Sequence, residues 1–479
     1  MTATSRQSPV DQDTSHENPV DQGTSHENPV DQGTSHENPV DQGTSHQSPV
    51  DQGTSQQSSV AGREFRLFWF GETTSLLGNG IAVVALPLVA VITLHADTFV
   101  VGMLTSVAYL PWLILGLPAG AWVDRLSRRP VMLVCDAVSF VTFVSVPAAA
   151  WAGVLTVPHL LVAAFTGGCA NVFFTTAHRA YLPTLLRDEE LLAGNARLQG
   201  SESTAEVIGP GLAGVLVQAF GAVAGLLANA LSFVVSWLCL RAIRTTEPPP
   251  LPAPTVRRRR LRTEVGDGLG FLFRDPVLRT LAVFSAVSNI ALTGLSSIEV
   301  AFLVRTVGVG EAVLGAVLTL CGLGGVLGVL LSHPVSRRFG TARAALIFQV
   351  CAAPFTLLFP LTGPGAGLAF FVVGGVGGGA GVVAASIITD TFRQRYCPPD
   401  LIGRISASAA VISFGAIAVG GLLGGALGEL FGVRETLWAM SGLQVLSTAI
   451  LLFSPIRKLR DFPESDRAIL AAEAEKAVS

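Results

Sequence analysis

Apolar runs long enough to cross a lipid bilayer recur along most of this chain, and no other feature limits its possible folds as much. A hydrocarbon core of about 30 Å takes roughly 20 helical residues to cross. From Phe65 onward such runs fall at 67–94, 99–123, 130–152, 158–182, 202–219, 222–241, 277–304, 311–332, 343–361, 366–390, 405–430 and 433–455. Half of the 479 residues are hydrophobic and only 14% are charged, and the charges gather in the short intervals between the runs. A soluble chain of this length would divide into two or three domains with charged surfaces. Lipid must therefore cover most of this surface, and the runs predict an all-α membrane protein with twelve transmembrane helices.

The loops set the orientation. Arg125, Arg128, Arg129, Arg187, Arg197, Arg244, the run Arg257 to Arg260, Arg262, Arg274, Arg337, Arg338, Arg395, Arg457, Lys458 and Arg460 all lie in loops after even-numbered runs or in the tails. The opposite loops hold only Arg305 and Arg434. Basic residues accumulate on the cytoplasmic side of a membrane. The pattern predicts an even number of spans, both termini in the cytoplasm and a multi-pass protein of the plasma membrane.

Residues 1–62 are a different material. A ten-residue unit reads QSPVDQDTSH, then ENPVDQGTSH three times, then QSPVDQGTSQ. One valine per unit cannot offset the entropy of ordering the rest, so a disordered cytoplasmic tail is expected. It lacks the basic start and apolar centre of a signal peptide. His16, His26, His36 and His46 recur at the repeat period, and duplication of one unit accounts for them more simply than a metal array does. The segment 242–276 carries EPPPLPAPTVRRRRLR, whose prolines and charges cannot enter lipid. It reads as a cytoplasmic linker whose arginines face anionic headgroups. The chain thus divides into the tail, an N-terminal six-helix half at 63–241, the linker, a C-terminal half at 277–456 and a cytoplasmic tail at 457–479.

The halves echo each other after their second helices, where GAWVDRLSRR (Gly120 to Arg129) corresponds to HPVSRRFG (His333 to Gly340). Gly120, Asp124, Arg125, Arg128 and Arg129, with Arg337 and Arg338 in the second copy, resemble the motif-A loop of the major facilitator superfamily. Ser127 stands where that pattern often has a second glycine, and the second copy has no aspartate. An acid and several guanidiniums at helix ends can pair in one conformation and part in another. In the fifth helix, VIGPGLAGVL places Gly209, Pro210, Gly211 and Gly214 together and resembles the antiporter motif of drug-exporting facilitators. Small residues allow close helix approach and proline bends the span, which suits a hinge or seal and also an ordinary packing kink. FRLFWFGETTSLLGNGI, FLFRDPVLRTLAVF and RYCPPDLIGRISA are similar to the enterobactin-exporter-like and macrolide-efflux-like branch, over about 65–456.

The resemblance implies two pseudo-symmetric six-helix halves and export of small hydrophobic or amphipathic molecules, such as drugs, antibiotics, siderophores or secondary metabolites. Alternating access driven by a proton gradient, a monomer in the bilayer and no cofactor are implied with it. One departure is plain: LLVAAFTGGCANVFF in the fourth helix has alanines where many proton-coupled exporters carry a buried arginine.

Coupling must then be sought among acids inside the spans, which are costly in lipid and by default functional. Glu72 shares a helix face with Ser75 and Asn79. Ser285, Asn289, Ser296 and Glu299 fall within a narrow band of the seventh helix, with Leu292 between them, so both stripes could line one central cavity. Glu299 could equally be a hydrated residue near the outer surface. Asp136 lies near the inner end of the third helix, where pairing with loop arginines is favoured over a transport role. Glu202 and Glu206 are expected at the inner start of the fifth helix, in the same ionic layer.

Other function classes find little support. No HExxH, GxSxG or GxxxxGK[ST] pattern appears, and His95, His159, His178 and His333 are scattered, so neither an enzyme nor an ATP-driven pump is expected. Six dispersed cysteines read as small apolar side chains, not as a disulfide or metal set. Nucleic-acid binding has no support. An importer of a small nutrient on the same fold stays open, because gradients and stoichiometry set direction.

Overall fold

The computed structural model describes residues 49–123, 125–245, 247, 261–397 and 399–463. The repeats up to residue 48, Asp124, most of the proline-rich segment and 464–479 lie outside the described residues, so the reading of the tails is not addressed there. Of residues 1–53, which group separately, only the start of the first helix is described; residues from Thr54 onward form the other unit.

Among the described residues the elements are all helical. The α-helices are α1 (Pro49–Leu88), α2 (Thr98–Val123), α3 (Arg128–Trp151), α4 (Val157–Leu185), α5 (Asp188–Phe220), α6 (Ala222–Ala242), α7 (Leu261–Arg274), α8 (Pro276–Ala301), α9 (Glu311–Phe339), α10 (Thr341–Ala352), α11 (Leu368–Tyr396), α12 (Pro399–Phe431) and α13 (Val433–Leu452). All but α7 belong to the 12 stretches that are long and apolar enough to cross a membrane.

Three elements depart from the sequence expectation. The first helix starts at Pro49, within the last repeat, with proline at the one helical position where its missing N–H costs nothing. Helix α7 occupies the later part of the expected linker, after the proline run that ends at Pro254, and seats Leu272 in the core. Helix α5 starts at Asp188, well before the expected 202, because polar residues do not stop a helix that runs out of the bilayer. Glu202 and Glu206 are therefore several turns inside it, not at its start.

The two sets of six repeat one plan. Both α1 and α8 end in a π-helical turn, Val89–Thr93 and Phe302–Val307. Glycines set the close crossings. A Cβ on Gly209 of α5 would come within 2.7 Å of Gly80 Cα in α1, and one on Gly424 of α12 within 2.8 Å of Gly294 Cα in α8. Between the halves, a Cβ on Gly102 of α2 would fall 2.6 Å from Gly425 Cα of α12, and one on Gly214 of α5 2.8 Å from Gly315 Cα of α9. No side chain fits such backbone contacts, and in lipid close packing replaces the hydrophobic effect as the force holding helices together.

These crossings lie toward the end of the molecule that has few arginines. There one apolar core draws on both halves, including Leu88, Val101, Leu104, Leu226, Ile298, Phe302, Leu303 and Leu314. Arg305 of the second half donates to the carbonyls of Val91 (3.3 Å) and Ala96 (2.7 Å) of the first. Glu429 of α12 accepts from the backbone N–H of Thr98 at 3.2 Å. At the arginine-rich end the core is split. Phe65, Phe68, Met132, Tyr181 and Leu240 cluster in the first half, and Leu278, Phe284, Phe392, Ile405 and Phe462 in the second. The halves therefore meet at one end and part at the other, leaving the space between them open toward the arginines.

Each half also secures its third helix with an acid from beyond its sixth. The Glu247 carboxylate accepts from the backbone N–H groups of Arg128 (2.7 Å) and Arg129 (2.6 Å) at the start of α3. Asp461 accepts from Thr341 N–H at 2.8 Å at the start of α10. Both satisfy orphan donors at the positive end of a helix dipole.

Candidate functional site

A cavity of about 280 Å³ lies among α1, α2, α3 and α4, on the open side of the shared core. Glu72, Ser75 and Asn79 of α1 line it on successive turns. Helix α3 adds Asp136 and Ser139, α2 adds Tyr109 and Trp112, and α4 adds Asn171 and Phe174. Trp112 stacks on Phe414 of α12 with centroids 4.9 Å apart, so the cavity borders the other half.

Asp136 departs from the reading that paired it with loop arginines. It is 1% exposed, faces this cavity and takes a hydrogen bond from Ser236 of α6, while its Oδ2 has no partner. The sequence distance to the arginines misleads here, because α3 carries Asp136 about two turns deeper than Arg129, to the cavity wall. The Arg129 guanidinium donates instead to the carbonyls of Leu240 (2.9 Å) and Arg241 (2.8 Å).

Glu72 has one bare oxygen as well: Oε2 is buried without a partner, and Oε1 lies 3.9 Å from His178 Nε2. That nitrogen too makes no hydrogen bond. The imidazole is held by stacking on Phe68 at 4.9 Å between centroids. Buried carboxylates without a cation beside them are costly in a membrane interior, and sites of this kind serve ions or substrates. Glu202 and Glu206 are exposed on α5, near enough for their charges to bear on Glu72 and Tyr109 respectively.

The equivalent space in the second half is also about 280 Å³ and contains Ser285, Ser288, Asn289 and Gln349. Ser288 donates to Gln444 Oε1 at 3.0 Å, and Asn289 to Ser285 Oγ at 3.4 Å. Its charges, Asp390 and Arg393, pair at 3.3 Å. Of the expected α8 stripe, Ser285 and Asn289 line this second cavity. Ser296 is exposed and bonds back to Thr293 O at 3.2 Å, and Glu299 lies nearer the closed end, on neither cavity's wall. A stripe that follows the helix axis cannot stay on one cavity where the neighbouring helices close over it.

Sequence reading missed Tyr109, Trp112, Asn171, Phe174 and His178. Asn171, Phe174 and His178 recur every three to four residues, a stripe that helical periodicity could have exposed. The remaining motif residues lie elsewhere. Gly120 has open space around it, Arg125, Arg337 and Arg338 are exposed, and Asp124 lies outside the described residues. Gly209 packs within its own half, whereas Gly211 faces Thr319, and Gly214 faces Gly315, across the interface.

Two six-helix halves that join at one end, with buried carboxylates on a cavity of the first half that borders the second, define a secondary transporter built for alternating access. The chain belongs to the major facilitator superfamily, whose family model matches residues 68–414 and 287–477. It is similar to the multidrug efflux pump Tap of Mycolicibacterium fortuitum, 27% identical over 401 residues that cover 81% of this chain and 95% of the relative. Tap of Mycobacterium tuberculosis is 26% identical over 413 residues, covering 84% and 96%. Among solved structures, the nucleoside transporter NupG superposes with TM-score 0.67 at 12% identity over 83% of this chain and 99% of that one. A bacterial homologue of the iron transporter ferroportin, in an inward-facing state, gives 0.66 at 16%, covering 81% and 98%. At such identities these likenesses show the fold alone.

Proposed function

We propose that this protein exports small hydrophobic or amphipathic organic molecules from the cytoplasm, exchanging them for protons across the plasma membrane. The observation that carries the reading is the pair Glu72 and Asp136, on a cavity within the first half and with an unpartnered buried oxygen each. Such groups can take up a proton in one conformation and lose it in the other, which makes the ion gradient drive the cycle. In this reading the arginine-rich end faces the cytoplasm, and the open space is an inward-facing state awaiting cargo. Export, as against import, draws on the likeness to Tap pumps over most of both chains.

The motif-A loop acts as a state-dependent contact and not as a substrate contact. Asp124→Asn is expected to leave insertion intact and slow turnover. Gly211 and Gly214 serve as the antiporter-like seal, since they sit where the halves must meet. The protein works as a monomer, because each monomer holds a complete cavity.

The test is expression in an efflux-deficient, drug-susceptible bacterium. At least one toxic compound should lose potency, its cellular accumulation should fall, and a protonophore should restore both. Unchanged potency across a broad panel, or raised accumulation of a nutrient, would remove the exporter reading.

A further inference from the structure

We propose that a crevice at the arginine-rich end of the second half, between α9, α11 and residues 461–463, binds an anionic phospholipid of the adjoining leaflet, with Arg395 and His333 holding its phosphate. The site lies apart from the transport space, and the inference does not rest on the transport reading. The crevice measures about 340 Å³. It occupies the face of α11 opposite the one that lines the second-half space: Ile387, Ile388 and Thr391 line the crevice, whereas Ser386, Thr389 and Arg393 line the other. Phe462, stacked on Phe392 at 4.4 Å between centroids, stands between the two spaces. On the α9 side Leu330, three residues before His333, is 65% exposed, so this flank of a membrane span faces lipid.

Polarity changes along the crevice as it does across one leaflet. Its deeper wall is apolar, with Ile387 and Ile388 beside Phe392, and its outer rim carries His333 and Arg395. From Ile387 to Arg395 the helix rises about 12 Å. That spans a headgroup layer of roughly 5–8 Å and reaches the first methylenes of the chains. The rim selects an anion. The hydroxyls of Ser336 and Thr391 already donate to the carbonyls of Ser332 and Ile387, each at 2.7 Å. Arg395 and His333 are exposed and have no hydrogen-bond or ion-pair partner among the described residues, so they are the donors left for a ligand. The acid on the wall, Asp461, is engaged by Thr341 N–H at 2.8 Å and lies 3.9 Å from Arg460 Nε, so it does not cancel their charge. Arg337 and Arg338, exposed in the turn after His333, add to the positive field. A guanidinium matches phosphate oxygens in shape, and basic pockets between membrane helices hold anionic headgroups. The groove between α3 and α4 in the first half, about 580 Å³, has no charged residue on its wall and offers no such contact.

The experiment is native mass spectrometry of the full-length protein, released from micelles after incubation with dioleoyl-phosphatidylglycerol or dioleoyl-phosphatidylcholine. Retention of the anionic lipid is expected to exceed that of the zwitterionic one by about fivefold or more, the effect of about one basic contact. Arg395→Gln should reduce it about fivefold and His333→Gln by less, while Arg197→Gln, which removes an exposed charge on α5, should leave it unchanged. Inorganic phosphate at millimolar concentration should not displace the lipid, because it has nothing to place against Ile387 and Ile388. Equal retention of the two lipids, or equal losses in the Arg197 and Arg395 variants, would overturn the proposal. Displacement by inorganic phosphate would do so too, since the crevice would then be a site for a soluble anion. The lipid and phosphate series uses the wild-type protein, so it decides the matter even if a variant fails to fold.

Discussion

In the half built from α1–α6 the cavity holds Glu72 and Asp136 with no lysine or arginine on its wall, whereas the space in the half from α8–α13 holds neutral amides and hydroxyls and an acid already paired with Arg393. The frames around these spaces match. Gly80 against Gly209 has its counterpart in Gly294 against Gly424, Gly102 against Gly425 in Gly214 against Gly315, and Glu247 in Asp461. The repeat therefore fixes how helices cross and how they start, and leaves the inward-facing side chains free to differ. A rocking motion needs matching halves, but an exchange of charge needs a site in one half only.

The largest effect expected is from Gly214→Leu. Its Cβ would meet Gly315 backbone across the interface, so the closed end could no longer form, and proteoliposome transport should fall below about a tenth of wild type. Gly209→Leu should differ in kind. Its Cβ meets Gly80 inside one half, so it should lower expression and thermal stability along with transport, and Pro210→Ala should be milder than either. A Gly209→Leu protein with wild-type melting behaviour would break the distinction between packing within a half and packing between halves.

Next in size are the cavity acids. Glu72→Gln and Asp136→Asn should each cut transport by about tenfold or more, while Gln349→Leu and Asn289→Ala in the other half should cost only a few-fold. Equal losses in the two halves would show that charge asymmetry is not what drives the cycle. The helix caps test the symmetry itself. Glu247→Gln and Asp461→Asn should each destabilise by about 1 kcal/mol, seen as similar small shifts in melting temperature. A shift confined to one of them would mean that the two acids do unequal jobs. Removal of residues 2–48 should change transport least, since the repeats carry one valine in ten residues. A large loss in a well-inserted truncation would show that they bind something required.

Much of this molecule is legible in its sequence. Spans are legible because lipid demands about twenty apolar residues at each crossing, whatever their neighbours are. The α1 stripe was legible because Glu72, Ser75 and Asn79 repeat on one helical face. Errors arose where position along the chain stood in for position in space. Asp136 follows the arginines closely in sequence, yet about two helical turns separate this side chain on the cavity from Arg129, which bonds the end of α6. Glu299 shares a face with Asn289, but the halves have already closed at its depth.

The sequence by itself determined the class, the number of spans, the duplicated plan and the end that carries the arginines, because each follows from local composition in a solvent that penalises every exception. Only the tertiary structure decided which glycines touch, that Glu247 and Asp461 cap helices more than a hundred residues away, and that His178 lies beside Glu72. Those facts depend on how helices cross. Crossing is set by shape complementarity between distant stretches of chain, and no window of neighbouring residues contains it.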